Sequence, residues 1–381
     1  MKRFSGQTTV RDLCVSIAVL FALVWASMPS SAAAATTPPA LYECQPRDPD
    51  MARPPAPPEL PPEVAASLPE AIESDDFQRL CPKGEVPEPT QPASAKAIPP
   101  SRELRGDKAV AQGRSREPVL LRRAGQRHRR GGATTSRSSI SSFWYSWAGG
   151  RQGFTNAQNV NGWFVSQTNE QPYIDYSESL KQAHSLGQLW VVGEGGGCWS
   201  SAETGWSESA GQFGDVNPHL FIFAFDCGVG LGYVGSSTIP WVQSSSVAFP
   251  NMTLTHNDKF HVYGARMAGN NWWFYYDGQW VGYIPHEAWT KFFPSYVNRG
   301  EAGGEVATPN YSTCTDMGYQ GRYGWDGGAA MFGEVWYEYN WNTASSHASL
   351  SAFASDPNQY VTGLWGGTPL HQFRYGGPGW C

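Results

Sequence analysis

The chain has 381 residues, with 27 Lys and Arg against 33 Asp and Glu, and 17 tryptophans among its 14% aromatic residues. Charge divides unevenly: 19 basic and 15 acidic residues lie up to position 137, then 8 and 18, about +4 and −10. An acidic, lysine-poor C-terminal part cannot neutralise phosphates, which argues against a nucleic-acid partner.

Residues 1–35 read as a signal peptide. Lys2, Arg3 and Arg11 form a basic start, Leu13 to Ala26 an apolar core, and Ser31 to Ala35 a run of small residues suited to cleavage. The apolar run is shorter than the roughly 20 residues that span a bilayer. The expected product is secreted and extracellular, with no membrane association once the signal is removed. Cleavage also removes Cys14 and leaves six cysteines: Cys44, Cys81, Cys198, Cys227, Cys314 and Cys381. An even number in an exported chain favours disulfides. The composition suggests Cys44–Cys81 in the leader and two bridges among the other four, for instance Cys198–Cys227 with Cys314–Cys381; sequence does not choose among the 15 possible pairings. No C-x-x-C or H-E-x-x-H occurs, so no metal and no cofactor is expected.

Residues 36–137 form a Pro/Arg-rich leader. Its proline-rich start has too few apolar side chains to offset the entropy of ordering and is expected to be extended or disordered. A short helix is expected between Glu63 and Leu80, where Val64, Leu68, Ile72 and Phe77 recur at near-helical spacing. The arginine-heavy stretch ends in Arg127-His128-Arg129-Arg130. Two readings fit it: a propeptide with a protease-sensitive basic linker, which makes the protein a zymogen, or a solvated spacer that is never cut.

Residues 138–381 have the texture of an all-β domain, with short aromatic and β-branched runs broken by Gly, Asn, Asp and Pro. Strands are expected at Gly162–Ser166, Leu186–Gly193, Leu220–Phe225, Lys259–Met267 and Glu334–Tyr339. Asp277-Gly278, between the aromatic runs Trp272–Tyr276 and Gln279–Tyr283, predicts a two-residue hairpin turn. A helix is expected only at Glu287–Phe293, after Pro285. Many short strands with hardly any helix point to one antiparallel β-sandwich, and no internal repeat suggests a propeller.

Several blocks in this part resemble the neprosin family of secreted glutamic peptidases, and they occur in the family's order. They include Gln152-Gly153-Phe154, His184-Ser185-Leu186-Gly187-Gln188-Leu189-Trp190-Val191, Glu203-Thr204-Gly205-Trp206, Gly214-Asp215-Val216-Asn217-Pro218, Gly303-Gly304-Glu305-Val306 and Thr315-Asp316-Met317-Gly318. The resemblance implies a concanavalin- or glucanase-like sandwich of two curved sheets with Glu203 and Glu305 as a catalytic pair in its cleft. It also implies acid-active endopeptidase cleavage of peptide or protein substrates, with preference for sites after proline.

Two carboxyls sharing a cleft cannot comfortably both ionise. One then serves as general base towards a water, while the other holds a proton for the scissile carbonyl and the leaving amine. The pair titrates as a unit, so neither role falls to Glu203 or Glu305 individually. Gln188 is a candidate to orient the water or the oxyanion, or else a structural amide. Trp190, Trp206 and Tyr283 are candidates to line the cleft and stack on proline rings, or else ordinary core. A secreted two-glutamate glycoside hydrolase and a non-catalytic carbohydrate- or peptide-binding module remain open alternatives. A monomer is expected.

Overall fold

The structure is a computed structural model and describes residues 42–46, 59, 85–89, 144–155, 158, 160–175, 183–195, 198–226, 232–234, 239–245, 247–289, 297–308, 315–319, 329–339, 344–364 and 372–377. Strands follow in chain order as β1 (Tyr42–Pro46), β2 (Glu85–Pro89), β3 (Trp144–Gly153), β4 (Val160–Asn169), β5 (His184–Gly195) and β6 (Cys198–Glu208). Then come β7 (His219–Phe225), β8 (Val242–Gln243), β9 (Asn257–Ala268), β10 (Asn271–Tyr276), β11 (Gln279–Ile284) and β12 (Arg299–Thr308). The series ends with β13 (Ala330–Tyr339), β14 (Ala344–His347), β15 (Ser351–Ala354), β16 (Val361–Leu364) and β17 (Phe373–Gly376). One α-helical turn, α1 (Ala210–Phe213), follows β6.

Leader strands β1 and β2 pair with each other as a two-stranded sheet. The rest form two antiparallel sheets. One has nine strands, in the order β16-β17-β13-β4-β9-β10-β11-β8 with β14 beside β13, and the other six, in the order β15-β3-β12-β5-β6-β7. This is the expected all-β sandwich.

The meander β9–β10–β11 shows how sequence sets the register. Gly269 and Asn270 have φ of 57° and 65°, and Asp277 and Gly278 have 38° and 85°. Two successive positive φ values give the turn whose twist matches that of the flanking strands. Asp277 is fastened as well, accepting from Val262 N at 2.7 Å and lying 2.5 Å from His261 Nδ1.

Alternation then sorts side chains between faces. From the six-stranded sheet, Leu189, Val191, Ala202, Trp206, Leu220, Ile222, Ala302 and Val306 enter the core between the sheets. From the nine-stranded sheet come Trp163, Val165, Tyr263, Ala265, Trp272 and Phe274. The Trp163 indole N–H also donates to Glu301 O at 3.0 Å, which ties the layers together. The outer face of the nine-stranded sheet carries Phe164, Val262, Tyr275 and Trp336 in a second cluster. Beside it the buried Arg266 Nε meets Glu338 Oε2 at 2.9 Å. Arg266 Nη1 donates to the carbonyl of Glu59, a contact between the leader and this face.

The helix expected at Glu287–Phe293 is a 3-10 turn at His286–Ala288, and residues 290–296 lie outside the described set. The leader helix expected at Glu63–Leu80 and the signal peptide also lie outside it. So do Cys81, Cys227, Cys314 and Cys381, while Cys44 and Cys198 are described by backbone alone.

Candidate active site

The glutamates of the two family blocks stand on β6 and β12, with β5 hydrogen-bonded between these strands. Cross-strand partners share a face, as do residues two apart along a strand. Across β3, β12, β5, β6 and β7, one row therefore reads Arg151, Glu301, Trp190, Glu203, Phe223. The next row on that face is Gly149, Gly303, Gln188, Gly205, Phe221, and the one after it Trp147, Glu305, Leu186, Ser207, His219. Glu203, Glu305 and Gln188 thus share the face turned away from the inter-sheet core, with the Gln188 row between the two glutamates.

Gln188 is the one long polar side chain in that middle row, flanked by Gly303 and Gly205. A Cβ on Gly205 would lie 2.0 Å from Gly187 O, and one on Gly303 would lie 2.6 Å from Ala148 O. Neither contact is possible without moving a neighbouring strand, so both positions require glycine. The consequence is a row with little side-chain bulk between two carboxylates. In a flat sheet the Cα atoms of Glu203 and Glu305 would be about 16 Å apart on the diagonal. The charge of Glu305 nevertheless raises the Glu203 pKa more than that of Glu301, which lies in Glu203's own row. The two catalytic-block carboxyls are thus coupled electrostatically across this face.

Glu203 and Glu305 are 1% and 0% exposed. Burial above all pushes the Glu203 carboxyl well above its ordinary range, and Glu305 and Glu301 push it further. Hydrogen bonds from Ser201 and Trp190 oppose the shift. A raised carboxyl stays protonated and can donate. Glu203 Oε2 and both amide atoms of Gln188 are buried with no hydrogen-bond partner among the described residues. Leaving such groups unpaired costs about 1–3 kcal/mol each, and folds tolerate this where a ligand or water is to be bound.

Further groups join the face. His184 Nε2 lies 3.1 Å from Glu305 Oε1. Glu301 is held by Arg299; its carboxyl is raised by burial, with Arg299 and Arg151 opposing. Tyr233 bridges to Phe223 at the edge of β7. Its phenol is pushed well up by burial and then by Glu305, Tyr145 and Glu203, so it remains a proton donor. Glu301, Ser201 and Tyr233 are not among the residues expected from sequence, and His184 was expected only as part of a family block. Alternation within Glu301-Ala302-Gly303-Gly304-Glu305 and Ser201-Ala202-Glu203 was the available signal for the first two.

Two expected cleft residues lie elsewhere. Trp206 is on β6 but three residues from Glu203, so alternation turns it to the opposite face, into the inter-sheet core. Tyr283 belongs to the nine-stranded sheet and stacks on Trp273 at 4.6 Å, on that sheet's outer side. Trp190 does share the glutamates' face. Trp206→Phe should accordingly lower the melting temperature while leaving kcat/KM within a few-fold, and Trp206→Ala should cost about 3–5 kcal/mol. Lost activity at an unchanged melting temperature would return Trp206 to the site.

Other carboxylates have partners of their own. Glu338 pairs with Arg266, Glu334 with His347 at 3.3 Å, and Glu194, at the far end of β5 on the glutamates' face, with Arg299 at 2.7 Å. Asp215 accepts from Asn217 N and lies 2.9 Å from His219 Nε2, as a turn residue.

With this geometry, the family comparison is decisive: the Neprosin family model matches residues 181–378, more than half the chain. The chain belongs to the neprosin family. Membership puts it in a peptidase-type family of hydrolases, and the match spans both Glu203 and Glu305. Solved structures similar to this neprosin chain include the β-porphyranase BpGH16B from the human gut bacterium Bacteroides plebeius, at 18% identity and TM-score 0.21. That match covers 40% of this chain and 53% of the other, so the chain spans about half the porphyranase's length. Another is an apo Crh5 transglycosylase, at 9% identity and TM-score 0.22, covering 47% and 76%. Likenesses this distant carry no argument about activity.

Proposed function

We propose that the protein is a secreted, acid-active glutamic endopeptidase that hydrolyses peptide bonds, with preference for sites after proline, through a water activated by Glu203 and Glu305. The observation that carries the reading is the shared sheet face, on which Glu305 raises the Glu203 carboxyl. In such a pair the ionised carboxylate removes a proton from water as its oxygen attacks the scissile carbonyl carbon. The protonated carboxyl donates to the carbonyl oxygen as negative charge develops there. As the tetrahedral species collapses, the C–N bond breaks and the leaving amine takes a proton from the pair.

Gln188, with its unpaired amide between the two rows, is suited to donate to the oxyanion. Trp190, buried on the same face, packs on Trp147 at 5.4 Å and donates to Glu203, which supports a role in holding that carboxyl. The basic run at Arg127–Arg130, at the composition boundary, is the proposed processing region. Export is supported by the N-terminal basic-apolar-small pattern.

The test is a peptide-library digest from pH 2 to 8 with full-length and acid-treated protein, run beside cell-wall polysaccharides. The expected outcome is cleavage below pH 5, enriched after proline and appearing as a leader of roughly 100 residues is lost. Reducing sugar released without peptide cleavage would replace the reading with a glycoside hydrolase. Substrate bound but unchanged at every pH would replace it with a binding module.

A further inference from the structure

The two glutamates have different neighbours. His184 opens β5, on the glutamates' face, where its backbone partner on β12 is Ala307. Its Nε2 reaches back 3.1 Å to Glu305 Oε1, with the two side chains 1% and 0% exposed. Among the described residues no cation pairs with Glu203. It accepts from Ser201 and Trp190, and the nearest charge in its own row across β5 is the carboxyl of Glu301.

We propose that His184 is a positioning residue that holds Glu305 as the ionised, water-activating member of the pair and leaves the shared proton on Glu203. The proposal rests on the peptidase reading above and divides the roles within it. An N–H at Nε2, in the neutral ring or in the imidazolium, requires an acceptor, and an ionised carboxylate is the better acceptor.

The other titratable groups facing Glu305 do not compete with this role. Glu301 lies on the same strand and is served by Arg299. Tyr145 on β3 and Tyr233 beside β7 are phenols, and Glu203 on β6 is the other member of the pair. His219 on β7 is engaged by Asp215 at 2.9 Å and by Asn251 O at 2.8 Å. Glu203 thus has neighbours that suit a proton donor, and its raised carboxyl agrees with that role. The reaction then has a direction: water gives its proton to Glu305, and Glu203 gives one to the departing amine.

The test is the pH profile of kcat/KM between pH 2 and 8 on a cleaved proline-containing peptide, with the processed wild-type enzyme, His184→Gln and Glu301→Gln. Removing the His184 imidazole from Glu305 Oε1 should move the acid limb up by about one pH unit or more. At a pH below both limbs this is roughly a tenfold loss, while kcat on the plateau stays within about threefold. A uniform loss at every pH with the acid limb in place would overturn the assignment, because a purely structural His184 gives that pattern. Removing the Glu301 charge should move the basic limb, where the proton on Glu203 is lost, to lower pH. If His184→Gln does not fold by circular dichroism, Glu301→Gln decides alone. A shifted basic limb supports the assignment, while a shifted acid limb or no shift overturns it. Glu203→Gln and Glu305→Gln run alongside. If both stay active, the peptidase reading itself fails. If both are inactive and the limbs stay put, only the division of roles falls.

Discussion

Glu203→Gln and Glu305→Gln should each reduce kcat/KM for an acid-cleaved peptide by about three orders of magnitude or more, with the sandwich intact. Glutamine matches glutamate in size, but it can neither take a proton from water nor give one to an amine. Single proton-transfer groups typically supply 10²- to 10⁴-fold, and here each change removes half of a coupled device. The double variant should be little worse than either single one, because groups acting as a unit are not additive. The fold should tolerate both changes. Burial already favours the neutral form of Glu203, so a neutral amide at that position removes a desolvation cost rather than adding one. An unchanged or slightly raised melting temperature near pH 7 beside the activity loss would separate chemistry from folding. Full activity in either single variant would end the Glu203–Glu305 reading.

What was legible in the sequence follows from where each signal originates. The Asp277-Gly278 hairpin was plain because both of its constraints are local: residues that accept positive φ, and aromatic strands on either side. The expected strands at Gly162–Ser166 and Lys259–Met267 were found, each longer than expected, within β4 and β9. Strands β6 and β12 were not among those expected, although they carry both glutamates. Cys198–Glu208 and Arg299–Thr308 are rich in Ser, Ala, Thr and Gly, which have weak strand preference individually. They are strands because both of their edges are paired, an effect no local window contains.

The same cause explains Trp206. Family resemblance singled out the Glu203-Thr204-Gly205-Trp206 block as a unit, but a strand divides a block between its two faces. Glu203 and Gly205 serve one side, and Thr204 and Trp206 the other. Once the block is known to be a strand, the mistake is avoidable from sequence alone. Tyr283 is different in kind, since only the three-dimensional order of strands assigns it to the nine-stranded sheet.

Stability should be greatest in acid and should fall as pH rises from about 5 to 8. Glu170 and Glu338 are each raised from 4.5 to about 7, in both cases chiefly by burial. A hydrogen bond from Thr168 and the charge of His256 restrain the first, and Arg266 the second. For a carboxyl whose folded value exceeds its unfolded one, the folded state binds more protons between the two values. The stabilisation is therefore fully present below about 4.5 and is lost as pH climbs through about 7. A span of about 2.5 pH units corresponds to roughly 3 kcal/mol for each group. Burial raises Glu203 and Glu301 in the same direction. For a domain of this size the melting temperature at pH 5 should exceed that at pH 8 by on the order of 10 °C. Glu170→Gln is the cleaner variant, because Glu338 also pairs with the buried Arg266, so Glu338→Gln changes that pair as well as the titration. The Glu170 variant should flatten the pH dependence by raising the melting temperature at pH 8 more than at pH 5. A wild-type melting temperature that is level or rising between those values would contradict the assignment of buried, protonated carboxyls to this fold. It would also remove the physical reason for expecting such a protein to work in acid.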